Sequence, residues 1–392
     1  MLMANPTLDG ALQRPLQGFS RSRARIIFIT GRQGQEAFAQ ILVFGECAGG
    51  QFSETNVMST SALPHNQQEC TAQQRFLKTV HYQDSDRPPL WEEGIIDEVW
   101  EMWREQGLTS PDELRRRFQF DHYELIEPNL WPIPRFKQTE QGEFSELRGR
   151  YSGEIGERLP KDWAVRVNSW ENREHPIGLM FTRGLLQACG VGNWQGLTGL
   201  LYALFDSPGE IDCVLECVTE MALTLVGKVI EEVHLDFAVL SEPIASFSAP
   251  VLSPDHYRRF AMPHYRRLVD SLKAKGIENL VVRTWGNSSP LFPLWLDLGI
   301  NTLWNDHCNS GGVSYPELRR RFGKELRLIG GIDARALLKD KKAIHEAVDR
   351  TVPPLLESGG YLPMLDDRVR RDVPFKNYCC YRERLMELVE KG

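Results

Sequence analysis

The chain has 392 residues, 42% apolar and 25% charged, with a formal net charge of −7, an ordinary globular composition. No stretch of about 18 uncharged apolar residues occurs, which argues against a membrane span. The N-terminus lacks the basic, apolar, small-residue series of a secretory signal, so a cytoplasmic protein is expected. No basic face stands apart from the acidic residues, which excludes the electrostatic footprint of a nucleic-acid partner.

Residues 1–57 read apart from the rest. The runs at 26–29 and 41–44 are strand-like but lie among Gln, Gly and Ser. Gly31-Arg32-Gln33-Gly34 lacks the spacing and the Lys-Ser/Thr of a phosphate loop. The segment is expected to be a poorly ordered or mis-assigned extension, with Met58 as the true start and 58–85 as a helical linker.

From Asp86 onward the pattern becomes regular. Residues 91–106 carry Ile95, Ile96, Val99, Trp100 and Trp103 at helical spacing. Ser110-Pro111-Asp112-Glu113 is a helix start, with a capping residue, a first-turn proline and acids at the positive end of the dipole. Residues 122–160, rich in Pro, Trp and charge, read as strands and loops. Beyond them, apolar runs at 177–181, 237–240, 280–282, 302–304, 326–329 and 361–365 alternate with helices near 208–233, 254–276, 288–298, 314–322, 341–358 and 374–390. Strands alternating with helices argue for a parallel sheet of βαβ units. A doubly wound open sheet would carry a glycine-rich turn after an early strand, and none is convincing. The expected fold is α/β, a TIM-type (β/α)8 barrel of parallel strands with outer helices, spanning residues 86–392.

The eight cysteines match neither a disulfide scaffold nor a CxxC zinc pair. Cys213 and Cys217 share a helix face but have no second pair of ligands near them, so they read as buried core thiols, as do Cys379 and Cys380. The triplets Arg115-Arg116-Arg117 and Arg319-Arg320-Arg321 read as solvated helix faces.

In a parallel barrel, catalytic groups lie where strands end. The runs end at Thr182-Arg183, Glu242, Arg283-Thr284-Trp285, Asn305-Asp306-His307, Asp333 and Asp366-Asp367. Polar loop residues are common, so one such ending means little. Together they point to a polar mouth in which arginines clamp carboxylates and crowded acids part their pKa values.

These residues, in order, resemble the uroporphyrinogen decarboxylase superfamily, which holds haem-pathway decarboxylases and corrinoid-dependent methyltransferases on an α/β barrel. The resemblance rests on Arg87-Pro88-Pro89-Leu90-Trp91, His175-Pro176-Ile177-Gly178-Leu179-Met180, Ser241-Glu242, Leu252-Ser253-Pro254 and Phe260-Ala261-Met262-Pro263-His264-Tyr265. It continues through Gly330-Gly331-Ile332-Asp333, Gly359-Gly360-Tyr361, Asp372-Val373-Pro374 and Asn377-Tyr378.

The functional residues that the resemblance implies carry over poorly. Glu92-Glu93-Gly94-Ile95 stands where decarboxylases hold substrate carboxylates with arginines. The acid facing the pyrrole nitrogens falls near Asp121. The family's tyrosine, serine and late histidine correspond to Thr182, Pro243 and Asp367. The zinc ligands of the methyltransferases correspond to Arg283, Trp285 and Asp367, so no metal is expected there; His307 and Cys308 with Asp333 or Asp367 are a different metal-site alternative.

The leading expectation is decarboxylase or lyase chemistry on an anionic, carboxylate-bearing substrate, with a tetrapyrrole relative as one candidate and no cofactor. Asp121, Asp333 and Asp367 are the candidate catalytic acids. Arg183, Glu242, Arg283, Trp285, Asp306 and His307 are candidate substrate-binding residues. One alternative is zinc-independent methyl transfer with a corrinoid protein as partner; another is a non-catalytic ligand-binding barrel. A small-molecule substrate and a homodimer are the other partners considered.

Overall fold

A computed structural model of the chain describes residues 24–33, 36–45, 69–135, 144–192 and 194–390. Strands β1 (Ala24–Gln33) and β2 (Glu36–Gly45) pair antiparallel and contain both early strand-like runs. The other expectations for 1–57, with the start at Met58, lie outside the described residues.

The remaining strands form one parallel sheet whose spatial order is the chain order. They are β3 (Glu124–Ile126), β4 (Ile177–Thr182), β5 (Phe237–Ser241), β6 (Leu280–Trp285), β7 (Thr302–Asp306), β8 (Arg327–Ile329) and β9 (Tyr361–Leu362). Parallel neighbours need long crossovers, and helices such as Phe292–Leu298, Tyr315–Phe322 and Lys341–Ser358 supply them. Each of the six apolar runs of the second half contains a strand, the last only at Tyr361–Leu362. The fold is an α/β barrel of the TIM type.

An extended segment, residues 90–96, completes the ring. Leu90 O accepts from Asp121 N at 3.0 Å on one side; on the other, Ile96 N donates to Val369 O at 3.4 Å and Val369 N to Gly94 O at 3.2 Å. The expected helix over 91–106 therefore forms only at Asp97–Glu105. Trp91 is fully buried inside the ring, stacked on Tyr123 at 4.2 Å and on Phe76 at 5.2 Å. Burying that indole in the lumen outweighs helical periodicity, since helix propensity is a weak preference beside tertiary burial. A cavity of about 570 Å³ lies along this join, lined by Gly94, Ile95, Trp100, Leu114, Phe120 and Tyr123 among others.

Alternation along the strands sorts the core. On β5, Phe237 and Val239 point into the lumen, whereas Ala238 and Leu240 pack under the helices, as a two-residue period requires. Helix Ala72–Val80 closes the lumen at the N-terminal ends of the strands, inserting Phe76 and Val80. Gln73 Nε2 donates to Asp236 Oδ1 at 2.8 Å, and Arg327 Nε donates to Val80 O at 2.9 Å.

Several local expectations change. The helix predicted over 254–276 is two, Pro254–Phe260 and Met262–Ala274; Pro263 has no N–H to continue the first. Ser110 occupies the N-cap position of helix Pro111–Phe118, yet its side chain makes no capping bond. Arg319 is buried and donates to Tyr82 Oη, Gly323 O, Gly359 O and Gly360 O, whereas Arg320, Arg321 and the Arg115 triplet are exposed. Cys213 is exposed rather than buried, and Cys217 and Cys380 are half-buried. No helix among the described residues is long and apolar enough to cross a membrane.

Candidate active site at the barrel mouth

The C-terminal ends of β6 and β7 place Arg283 beside Asp306. Arg283 Nε and Nη2 reach Asp306 Oδ2 at 3.2 and 3.1 Å. The same guanidinium contacts Glu93 Oε1 from the closing segment and lies over the Trp304 ring at 4.5 Å. Arg368 Nε stands 3.5 Å from Glu93 Oε1. Glu93 Oε2 and Asp306 Oδ1 are buried and without a hydrogen-bond partner among the described residues. Burial pushes the Asp306 carboxyl well above the usual range; Arg283 opposes this, and the like charges of Glu93 and Asp367 reinforce it. Asp306 therefore holds a proton that an isolated aspartate would release.

His307, the next residue, has φ +54°, a backbone conformation rare outside glycine and frequent at working sites. Its Nε2 is 3.1 Å from Asp367 Oδ2, and Arg370 Nε donates to that oxygen at 2.6 Å. Trp285 stacks on Phe247 at 4.5 Å and meets the His307 ring edge-on at 5.3 Å. His307, Phe247, Asp366, Asp367, Arg368 and Arg370 line a cleft of about 480 Å³, within the range of small-molecule sites. Asp366, at the end of the same strand run as Asp367, accepts from Asn309 N at 3.0 Å and Ala334 N at 2.9 Å, and so ties the loops after β7 and β8 together.

The structure thus brings together Arg283, Trp285, Asp306, His307 and Asp367. Other candidates lie elsewhere. Asp121 precedes β3 on the barrel floor, where it accepts from Arg75 Nη1 and Arg87 Nη1, each at 2.5 Å, and from Leu90 N at 2.7 Å. It belongs to the floor opposite the mouth. Glu242 is fully buried; it accepts from Tyr265 Oη at 2.6 Å, Tyr257 Oη at 3.0 Å and Leu185 N at 3.1 Å. Burial pushes its pKa up to about 7 against the hydrogen bonds from Tyr265, Tyr257 and Leu185. A Cβ on Gly184 (φ +81°) would come within 2.5 Å of Glu242 Oε1, so the loop after β4 closes over this carboxyl only with glycine there. Glu242 is a buried brace, out of reach of a substrate.

Asp333 stands at the edge of the mouth cleft, where it caps the short helix Ala334–Leu338 through Arg335 N and pairs with the guanidinium of the cleft-lining Arg335 at 2.9 Å. Arg183 reaches Glu127 at 3.3 Å and stands over Trp131 at 5.2 Å, with no contact to the Arg283–Asp306 or His307–Asp367 pairs. Glu93, Phe247, Arg368 and Arg370 escaped the sequence reading. The signal available was the Glu92-Glu93 pair in place of the arginines, and the two arginines that follow Asp367.

The residues at the methyltransferase zinc positions do not fit a zinc ion. Arg283 is a donor only, and an indole offers no suitable lone pair. His307 and Cys308 diverge: the Cys308 thiol is fully buried against Asp366 at 3.5 Å, while His307 faces Asp367.

Residues 189–383, from the end of the short helix after β4 to within the last helix, match the family model for Uroporphyrinogen decarboxylase (URO-D). The fold is also similar to the solved structure of a methyltransferase from Methanosarcina mazei. The two share 16% identity over 81% of this chain and 99% of that one, with a TM-score of 0.54. Over residues 189–383 the chain carries the URO-D family domain. No curated protein sequence matches it. Members of the superfamily are enzymes, both decarboxylases and methyltransferases.

Proposed function

We propose that this URO-D barrel is a decarboxylase-type lyase acting on an anionic, carboxylate-bearing substrate in the cleft beside His307. The observation that carries the reading is the Glu93–Arg283–Asp306 arrangement. When a carboxylate departs as CO2, the carbon–carbon bond breaks and its electron pair stays on the substrate carbon, which must then take a proton. A carboxyl that burial makes a weaker acid keeps its proton to higher pH and suits that donation. Asp306 is in this role, and the His307–Asp367 pair relays the replacing proton from solvent. Arg368 and Arg370 anchor the substrate's remaining carboxylates.

The test is CO2 release from uroporphyrinogen, coproporphyrinogen and simple polycarboxylates by wild-type protein and by Asp306→Asn. Turnover that the variant leaves unchanged removes Asp306 from the role. Release of CO2 from none of these compounds removes the decarboxylase reading.

A second reading is corrinoid-linked methyl transfer without zinc, with a cobalamin protein as partner. The Phe247–Trp285 stack beside the cleft favours it, as a surface that can receive a flat ring. Loss of the methyl group from methylcobalamin in the presence of a thiol acceptor, without CO2 release, would support it.

A further inference from the structure

Away from the mouth, two histidines and a glutamate converge where β3 and β4 begin. His122 and Glu124 are two apart, so extended backbone turns them to the same side. The parallel register aligns Glu124 with Ile177, and Glu124 N donates to Pro176 O at 3.0 Å, which brings His175 alongside. His175 Nε2 is 3.1 Å from Glu124 Oε1 and His122 Nε2 is 3.5 Å from it. The two imidazole rings meet edge-on with centroids 4.3 Å apart. One donor atom from each residue lies within 4.8 Å of the other two, a clustering unique to this place among the described residues.

We propose that His122, Glu124 and His175 form a binding site for a divalent transition metal of the zinc class, clipping β3 to β4. Two imidazoles and one carboxylate are a familiar zinc donor set, and a fourth position stays open to water. Imidazole ligands exclude magnesium and calcium as the preferred ions. The Trp170 indole donates to Glu124 Oε1 at 3.0 Å, the kind of outer hydrogen bond that orients a ligating carboxylate. His122 is largely exposed, with 62% of its side chain accessible, so an ion can reach the cluster and draw that ring inward. The site lies on the floor side, away from the cleft, and its role is to hold two strand starts together.

The experiment uses the full chain stripped of metal by chelator dialysis, then titrated with Co2+ and Zn2+. About one equivalent of Co2+ should give visible d–d absorption without a sulfur charge-transfer band, and Zn2+ should displace it. Zn2+ should also raise the thermal midpoint, because it binds the folded state preferentially. His122→Ala and His175→Ala should each weaken binding by at least about tenfold. The double variant Cys213→Ser/Cys217→Ser should bind as the wild type does, which separates this site from adventitious thiol capture. His122 is exposed enough that its variant will fold even if the His175 variant does not. Absence of saturable binding, or binding that His122→Ala leaves intact, overturns the proposal.

Discussion

Tyr265 donates its hydroxyl to Glu242 at 2.6 Å, and together with Tyr257 and Leu185 N it surrounds a carboxyl that solvent never reaches. The folded pKa of about 7 stands above the ordinary value of 4.5. Between those values the folded state keeps a proton that the unfolded state has released, so stability declines as pH rises. The decline is roughly 3 kcal/mol, complete once pH passes the folded pKa. Urea unfolding at pH 5 and pH 8 should show it, and Glu242→Gln should flatten the slope. Identical slopes for the two proteins would mean that another group titrates.

Arg283 donates to both Glu93 and Asp306, so its removal takes the hydrogen-bond partner from each. Arg283→Met should cost roughly 3–5 kcal/mol in unfolding free energy, the range for breaking a buried pair. Adding Glu93→Gln should recover part of that loss. A double-mutant cycle with no coupling would deny the Glu93–Arg283 contact its importance.

Asp121 on the floor makes a contrasting case. Asp121→Asn leaves Arg75 and Arg87 with one charge fewer between them and should cost roughly 3–5 kcal/mol, with kcat/KM of the folded protein unchanged. Lost turnover at full stability would return Asp121 to the chemistry.

For the proposed decarboxylation, Asp306→Asn should lower kcat by about 10²- to 10⁴-fold. The wild-type rate should fall as pH rises through the raised Asp306 pKa, because the protonated form is the donor. The residual rate of the variant should not follow that limb.

Arg370 serves binding in the same scheme. Arg370→Gln should raise KM and leave kcat nearly unaltered, the pattern of an interaction made equally in ground and transition states. A drop in kcat alone would place the guanidinium in the proton relay.

The alternation of apolar runs with amphipathic helices made the barrel legible, because each run is buried on both faces and reads as continuous apolar sequence. The closing segment was not legible: Trp91, Ile95, Val99 and Trp103 fit a helix stripe, and only the lumen that receives Trp91 decides otherwise. At the mouth, strand ends pointed to Arg283, Trp285, Asp306, His307 and Asp367. Glu242 has the same position in its strand, yet Gly184 lets it fold back under the loop between Tyr257 and Tyr265, a choice made by neighbours distant in sequence. Asp121 was placed through resemblance alone, and the arginines that claim it come from residues 75 and 87. The His122–Glu124–His175 group is not legible in the sequence, because His175, just before β4, meets the start of β3 only through the parallel register.

The ring joins at residues 90–96 through isolated hydrogen bonds rather than a continuous ladder, beside the cavity that Tyr123 and Ile95 line. The amides of that stretch should exchange with deuterium well before those of β5 to β7, as expected where local opening costs least. Trp91 shares the lumen with Trp304, so the part of the red shift in emission that Trp91→Phe removes would time the moment at which the barrel unzips.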